Sequence, residues 1–262
     1  MTKLELFGEW INFVLKSKNA HGIHSPFVYN FYNFCLKGSV SNTSKNTFRQ
    51  VRKELLANNQ LIYHQDLGAG SKVNSNPNLP IKQLAKASLK KEKEAGMIAK
   101  SINFLKCKMV VELGTSFGST TLLCCLENPD IEIHTIEGSP EVAEIANELF
   151  SRFHEHNIQL ITGSFEEKLP PLLSQINTAD AYIFDGNHRQ EATLNYFEQA
   201  LRHSNKNTVF IFDDIRWSSG MLAAWKTIEK HPEVTLTLDL FSMGIAFINT
   251  DFSKQNLRLR RY

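Results

Sequence analysis

The chain has 262 residues, of which 42% are hydrophobic and 21% are charged, and its formal net charge at pH 7 is +2. These values are typical of a globular protein with room for one α/β domain and an appendage, or for two small domains. A charge so close to zero gives no indication of nucleic-acid or membrane-surface binding.

The cysteines and the first residues predict where the protein is found. Cys35, Cys107, Cys124 and Cys125 have no Cys-x-x-Cys spacing, which favours buried free thiols in a reducing compartment. No apolar stretch reaches the roughly 18 residues of a membrane span. The start, MTKLELFGEW, also lacks the apolar segment of a secretory signal. We therefore expect a soluble cytoplasmic protein.

The N-terminal region has the pattern of helices. Apolar residues at helical spacing predict an amphipathic helix over residues 4–15. A second helix is expected with Ser25 as its N-cap, Pro26 at its first position and Gly38 as its stop. A third is expected over 45–58. These helices have no strand partner of their own, so they are interpreted as an appendage that packs on something larger.

Two glycine-rich stretches compete as a cofactor loop, HQDLGAGSKV (64–73) and VVELGTSFGST (110–120). A cofactor loop in an α/β fold follows a buried strand and opens a helix, so that backbone N–H groups point at the ligand. The second stretch has both, whereas the first leads into polar, proline-containing sequence. We interpret residues 1–82 as the helical appendage with a lid loop that includes the first stretch, and residues 83–262 as the catalytic domain.

Strands and helices alternate after a helical stretch over 83–105. Strands are predicted at 108–113, 131–136, 158–162, 180–185 and 208–213, with helices near 118–127, 140–155, 166–175, 189–203 and 216–230. This alternation predicts a parallel sheet covered on both faces. VTLTLDLFSMGIAFIN then predicts an antiparallel hairpin with Gly244 in its turn. The expected fold is a Rossmann-like doubly wound α/β sheet, mostly parallel, with a C-terminal antiparallel hairpin.

The glycine spacing in the second stretch restricts the ligand. Glycines stand only at positions 114 and 118, so the dinucleotide fingerprint G-x-G-x-x-G is not present. Glu112, at the strand end, would place a carboxylate near a pyrophosphate, which is electrostatically unfavourable. A cationic ligand such as S-adenosylmethionine, which has a sulfonium and no phosphate, suits the loop better.

The ends of the next two strands carry further candidate residues. Glu137 ends the second strand, at about the distance past the loop where an acid meets ribose hydroxyls. Ser164 and Phe165 follow the third strand, where they could border and stack on an adenine ring. Each residue alone could instead serve a turn or cap a helix; their occurrence at successive strand ends favours a cofactor site.

Five ordered motifs resemble those of the class I S-adenosylmethionine-dependent methyltransferases. They are VVELGTSFGSTTL, IHTIEGSP, LITGSFEEKLP, YIFDGNHRQEATLNYF and FIFDDIRWSSGM. The resemblance covers roughly residues 83–250 and is nearest to small-molecule O-methyltransferases of the catechol and macrolide-sugar type. It implies an enzyme that binds S-adenosylmethionine through Glu112, Gly114, Thr115, Gly118, Glu137, Ser164 and Phe165. Ser164 stands where Asp is common in the family.

Acidic residues gather at the ends of the fourth and fifth strands, as Asp185 and as the pair Asp213 and Asp214. Three converging carboxylates repel one another unless a cation lies between them. A hard divalent cation could also lower the pKa of an acceptor hydroxyl and orient it. Asp185 and His188 resemble the metal-acid and general-base pair of metal-dependent members. We therefore expect Mg²⁺ on the three acids, with Asp185 and His188 in catalysis; the alternative is that these residues cap or begin helices.

The leading functional hypothesis is metal-assisted O-methylation of a small-molecule hydroxyl. The alternatives are an RNA or protein methyltransferase, with the N-terminal helices as recognition domain, and a non-catalytic S-adenosylmethionine-binding protein. Nucleic acid is disfavoured, because basic residues do not cluster and no N-P-P-Y-like tetrapeptide follows the fourth strand. The basic tail LRLRRY is interpreted as a solvated end or an edge strand.

Several further residues are candidate contacts of the substrate, of a lid or of a second copy of the chain. Arg216 and Trp217 are expected to line the substrate mouth, with ordinary packing in the fold as the alternative for Trp217. His21 and His24 are interpreted as lid or packing residues rather than metal ligands. A homodimer through the N-terminal helices is a further expectation, based on four aromatic residues there that we expect to be exposed: Trp10, Phe13, Phe27 and Phe31.

Overall fold

The computed structural model describes residues 1–63, 78–154 and 156–260. Its α-helices are α1 (Lys3–Lys16), α2 (Pro26–Phe31), α3 (Asn42–Ala57), α4 (Ile81–Ser88), α5 (Glu92–Phe104), α6 (Ser119–Glu127), α7 (Pro140–Arg152), α8 (Phe165–Gln175), α9 (Gln190–Leu201) and α10 (Ser219–Lys230). A 3-10 turn covers Ala20–Gly22 and a π-helical segment covers Tyr32–Lys37. The glycine-rich stretch at 64–73 lies outside the described residues.

The strands form two sheets. They are β1 (Leu61–Tyr63), β2 (Asn78–Pro80), β3 (Met109–Leu113), β4 (Glu132–Glu137), β5 (Ile158–Thr162), β6 (Ala181–Phe184), β7 (Val209–Phe212), β8 (Leu236–Asp239), β9 (Gly244–Phe247) and β10 (Gln255–Arg258). β1 and β2 pair as a small antiparallel ribbon, and the main sheet has the order β10-β8-β9-β7-β6-β3-β4-β5.

The main sheet confirms the predicted fold class. Strands β5, β4, β3, β6 and β7 are parallel, and β9 runs antiparallel to both β7 and β8. β10 adds to β8 in parallel at the edge, so the basic tail contributes an edge strand. Every residue of β6 and β7 is buried, as expected for parallel strands with both faces covered. One detail is corrected: Gly244 begins β9 and packs on the ring of Trp225, whereas the turn precedes it.

The register of the sheet sets the place of the site. Leu113 at the end of β3 lies opposite Phe184 of β6, which lies opposite Phe212 of β7. The residues that follow these strands therefore leave the sheet at one edge. The backbone N–H of Asp185 donates to the Leu113 carbonyl at 2.8 Å, and the N–H of Asp213 donates to the Phe184 carbonyl at 2.9 Å. The carboxyl ends of the parallel strands thus meet where such sheets bind ligands.

The N-terminal helices share a core with the sheet. Phe31 and Tyr32 are 0% exposed and belong to the same apolar cluster as residues of β3, β6 and β9. The Phe31 ring makes an edge-to-face contact with Phe104, at 5.5 Å between centroids. Tyr32 also donates a hydrogen bond from its hydroxyl to the Arg260 carbonyl at 2.9 Å. α2 and the π-helical segment are therefore packed into the core of the main sheet.

The expected exposure of the N-terminal aromatic residues was wrong for two of them. Phe31 is buried as described, and Phe13 is 5% exposed and packs edge-to-face on Phe241. Phe27 is half-buried, whereas Trp10 of α1 is exposed and stacks on Phe7. Much of the apolar surface that suggested a dimer thus packs within the chain, and the homodimer stays a prediction.

The helical stretch predicted over 83–105 is two helices, with a break between Ser88 and Glu92. At the break, the Arg52 guanidinium of α3 donates to the carbonyls of Leu89 and Lys90, at 2.9 and 2.5 Å. These bonds satisfy carbonyls at the helix end, which have no partner within α4. The break directs Lys90 towards the carboxyl edge of the sheet.

All four cysteines are buried, which confirms the expectation of buried thiols. Within the ranges that the structure describes, no helix has the length and apolar character needed to cross a membrane.

Candidate active site

The loop between β3 and α6 depends on two glycines. Gly114 has φ 106° and Gly118 has φ 74°, a region that side chains other than glycine rarely adopt. A Cβ atom on Gly114 would collide with the backbone carbonyl of Asp185, and one on Gly118 would lie 2.6 Å from the Phe150 ring. The loop is therefore pressed against the end of β6, and Gly118 is the N-cap of α6.

Glu137 holds this loop from the neighbouring strand. It ends β4, where the sequence predicted it, and its carboxylate accepts hydrogen bonds from the backbone N–H groups of Ser116 at 2.8 Å and Ser139 at 2.9 Å. The carboxylate thus ties the glycine loop to the turn before α7. Carboxylate oxygens can each accept more than one hydrogen bond, so these contacts are compatible with a further one to a ribose hydroxyl.

Glu112 and Thr115 lie beneath the loop. Glu112 is 2% exposed, and its carboxylate accepts from the hydroxyls of Thr121 at 2.7 Å and Thr135 at 2.6 Å. Burial raises the pKa of Glu112, and the two hydroxyls oppose that rise. Thr115, also buried, shares a hydrogen bond of 2.6 Å with Thr135. Both residues brace the loop from below, and a direct contact of either with the cofactor stays a prediction.

The start of α8 forms one wall of the site. The Ser164 hydroxyl caps the helix by accepting from the Glu167 N–H at 3.3 Å. Phe165 packs edge-to-face on Tyr196, at 5.7 Å between centroids. Asn187 donates from its amide to the Tyr196 hydroxyl at 2.9 Å, and its buried Oδ1 has no hydrogen-bond partner among the described residues. An aromatic ring and an unsatisfied acceptor therefore stand together on this side.

A lysine lies between the predicted metal ligands. The Lys90 ammonium is 2.8 Å from Oδ1 of Asp185 and also forms an ion pair and hydrogen bond with Asp213. The lysine side chain is 6% exposed. Burial disfavours its charge, but the two carboxylates outweigh that effect and hold the pKa of Lys90 above its ordinary value. Lys90 is therefore a buried cation at the ends of β6 and β7.

The residues present do not fit the predicted magnesium site. The ammonium of Lys90 takes the position between Asp185 and Asp213, while Asp214 has a left-handed backbone and a side chain that is 43% exposed. Over residues 1–63, 78–154 and 156–260, no group of three His, Cys, Asp or Glu side chains is placed to hold a metal ion. The clustering of the acids was predicted, but the cation beside them is supplied by the chain.

His188 stands beside this cluster. Its Nε2 atom is 4.0 Å from Oδ2 of Asp214, and its ring lies 6.2 Å from that of Trp217, which is 56% exposed. Burial lowers the pKa of His188, Asp213 opposes the shift and Lys90 adds to it. The imidazole is therefore neutral at pH 7. Trp217 forms an exposed aromatic surface next to it.

Arg216 does not reach the substrate mouth. Its guanidinium is buried, with two hydrogen bonds to the Asp239 carboxylate at 2.8 and 2.7 Å and a third to the Phe241 carbonyl at 2.8 Å. It also lies 3.7 Å from Glu9 of α1. The expectation that Arg216 lines the substrate mouth was therefore wrong, and the residue joins α1 to β8 instead.

Residues 111–215 contain the glycine loop, Glu137 and the cluster around Asp185. This segment matches the family described as "Methyltransferase domain". Residues 111–215 are thus similar in sequence to a methyltransferase domain. The glycine loop, acid cluster and His188 all fall within the matched segment.

One curated protein to which the chain is similar is the O-methyltransferase imqG of Aspergillus flavus. It is 28% identical over 114 residues, which are 41% of this chain and 45% of the relative. The match thus spans less than half of the relative's own length.

Solved structures extend the likeness over most of the chain. The methyltransferase PaMTH1 of Podospora anserina, bound to S-adenosylhomocysteine (SAH), aligns with a TM-score of 0.59 and 14% identity, covering 87% of this chain and 97% of that one. An O-methyltransferase of Bacillus cereus, also in complex with SAH, aligns with a TM-score of 0.57 and 17% identity over 79% and 91% of the two chains. At these identities the likeness shows that the chain shares the fold of these two proteins.

Proposed function

We propose that the protein transfers a methyl group from S-adenosylmethionine to a hydroxyl group of a small molecule. The observation that carries this proposal is the position of His188. It is a neutral imidazole in the segment after β6, where the Asp185 carbonyl packs against the glycine loop at Gly114. A proton acceptor and a cofactor loop therefore stand at one edge of the sheet.

The cofactor residues support S-adenosylmethionine rather than a phosphate-bearing ligand. Glu137 would hold the ribose, and Phe165 with the unsatisfied Oδ1 of Asn187 would border the adenine, whose amino group is a donor. The loop from Gly114 to Gly118 would hold the methionine end. When bound, S-adenosylmethionine supplies a methyl group made electrophilic by its sulfonium.

The chain's own residues would position the acceptor and remove its proton. His188, neutral at pH 7, would take the proton of the hydroxyl as a general base. Trp217 would contact a flat acceptor from the exposed side. The enzyme's contribution is then orientation and proton removal, because the leaving sulfur already activates the carbon.

A small-molecule acceptor is favoured over a nucleic acid. The net charge is +2, and Arg216 is buried and bound to Asp239 and Phe241, so it offers no phosphate contact at the site. Binding to a nucleic acid depends on clustered cations that neutralise phosphates. The cluster around His188 instead carries the acids Asp185, Asp213 and Asp214.

The experiment is a transfer assay with S-adenosylmethionine carrying a labelled methyl group. Catechols, phenols, sugars and aliphatic alcohols are compared with tRNA and with a denatured protein mixture. The proposal expects label in a methyl ether of one small-molecule class, with His188→Gln reducing turnover and the exposed His156→Gln leaving it unchanged. Label in tRNA or protein, or SAH binding with no transfer to any hydroxyl, would contradict it.

A further inference from the structure

Lys90 is held in the site by contacts on both its backbone and its side chain. Arg52 of α3 donates hydrogen bonds to the carbonyls of Leu89 and Lys90. At the other end, the ammonium contacts Asp185 and Asp213. Both the backbone and the ammonium of Lys90 are therefore held in place, next to the carboxyl ends of β6 and β7.

The arrangement of charges around Lys90 is that of a metal site in which an ammonium stands in place of the metal ion. Two carboxylates from adjacent strand ends flank one cation, as they would flank a divalent ion. A buried ion cluster contributes little net stability compared with apolar packing. Its place beside His188, rather than elsewhere in the core, points to a role in the reaction.

One N–H group of the Lys90 ammonium has no carboxylate partner among the described residues. The ammonium carries three N–H groups, and its partners among the described residues are the two carboxylates. The remaining N–H group is available to an acceptor oxygen at the strand ends. An ammonium in a buried site interacts strongly with a developing negative charge, because little water screens it.

We propose that Lys90 is the cation of this active site, taking the place of a divalent metal between Asp185 and Asp213, and that methyl transfer therefore needs no metal. This inference rests on the proposed O-methyltransferase function. The Lys90 N–H group binds the acceptor oxygen and stabilises the negative charge that develops as His188 removes the proton.

The step balances without a further reactant. The acceptor O–H bond breaks and its proton goes to a ring nitrogen of His188. The same oxygen bonds to the methyl carbon, and the carbon–sulfur bond breaks with its electron pair left on sulfur, giving a methyl ether and SAH. Lys90 forms no covalent bond and keeps its proton throughout.

The first test is metal dependence of the unmodified protein. After dialysis against EDTA, kcat is measured with and without added Mg²⁺ and is expected to agree within about twofold, and Mn²⁺ titrated into the protein is expected to stay free in its electron paramagnetic resonance spectrum. Loss of activity in EDTA with recovery in Mg²⁺ would overturn the proposal. So would tight one-to-one Mn²⁺ binding that Asp185→Asn removes, a result that needs no acceptor and is separate from failure of the proposed function.

The second test replaces the lysine. Lys90→Gln is expected to lower kcat by about 100-fold or more, with SAH affinity within about threefold of the unmodified protein. Lys90→Ala exposes the two carboxylates, so Mn²⁺ is expected to bind and to restore part of the activity, an effect that a merely structural lysine would not give. The exposed neighbour Lys93→Ala is the control. Unchanged kcat in a Lys90→Gln variant that binds SAH would contradict the proposal.

Discussion

The Nζ atom of Lys90 lies 2.8 Å from Oδ1 of Asp185. Lys90 lies in the break between α4 and α5, and Asp185 directly follows β6. The same ammonium contacts Asp213. All three side chains are largely buried, so each carboxylate depends on the lysine for its counter-charge.

Lys90→Met is expected to destabilise the fold strongly, because it leaves two buried carboxylates without a cation. Breaking a buried pair by removing one partner costs about 3–5 kcal/mol, measured here as the free energy of unfolding in urea. Adding Asp213→Asn should recover part of the loss. The control is Lys108→Met, which breaks an exposed pair with Asp130 and should cost at most about 1 kcal/mol. A Lys90→Met variant as stable as this control would contradict the geometry.

Gly114→Ala is expected to impair cofactor binding. The added Cβ would collide with the Asp185 carbonyl, and the backbone has a φ of 106° that alanine tolerates poorly. We expect SAH affinity to fall at least about tenfold, corresponding to about 1.4 kcal/mol, by calorimetry. Gly8→Ala is the matched control, since α1 leaves open space at that position and alanine favours a helix. Equal affinities in the two variants would argue against the loop as the binding site.

Glu137→Ala tests the ribose contact and the tie to the loop. The loss of charge-assisted hydrogen bonds to the Ser116 and Ser139 N–H groups is expected to cost about 1.5–3 kcal/mol of SAH binding, which raises the dissociation constant roughly 10- to 150-fold. Glu132→Gln, at the exposed start of the same strand, should leave binding unchanged. If both variants bind alike, Glu137 has no role in the cofactor site.

The pH dependence of kcat/KM tests the proposed base. Burial lowers the pKa of His188 below 6.5, and a base must be neutral to accept a proton. Activity should therefore rise with pH below 6.5 and be flat between pH 7 and 8. Asp214, whose pKa is raised to about 6 by burial and by Asp213, titrates in the same range. The rise should persist in Asp214→Asn and disappear in His188→Gln; the reverse would assign it to Asp214.

Much of the cofactor side was predictable, because its signals are local. One short segment contains the pattern of a buried apolar strand, glycines at 114 and 118 and a helix start. The parallel order then follows from the alternation of elements, and strand ends in such a sheet share one edge. That reasoning placed Glu137, Asp185 and Asp213 correctly relative to the sheet.

Lys90 could not be found in this way. It stands in LKKEKE, a run of charge that is typical of a solvated helix surface, and no glycine or proline marks the break beside it. Its burial depends on Arg52 of α3 and on two carboxylates much later in the chain. Likewise, Arg216 was expected to line the substrate mouth because its partner Asp239 lies in β8, later in the chain. Both outcomes come from tertiary packing, which spacing does not encode.

Calorimetric titration of the protein with SAH tests the central claim most directly. The account predicts saturable binding of one SAH per chain, with affinity lost in Gly114→Ala and kept in Gly8→Ala. A folded protein that releases no heat with SAH or S-adenosylmethionine would contradict the assignment of the β3 loop as the cofactor site.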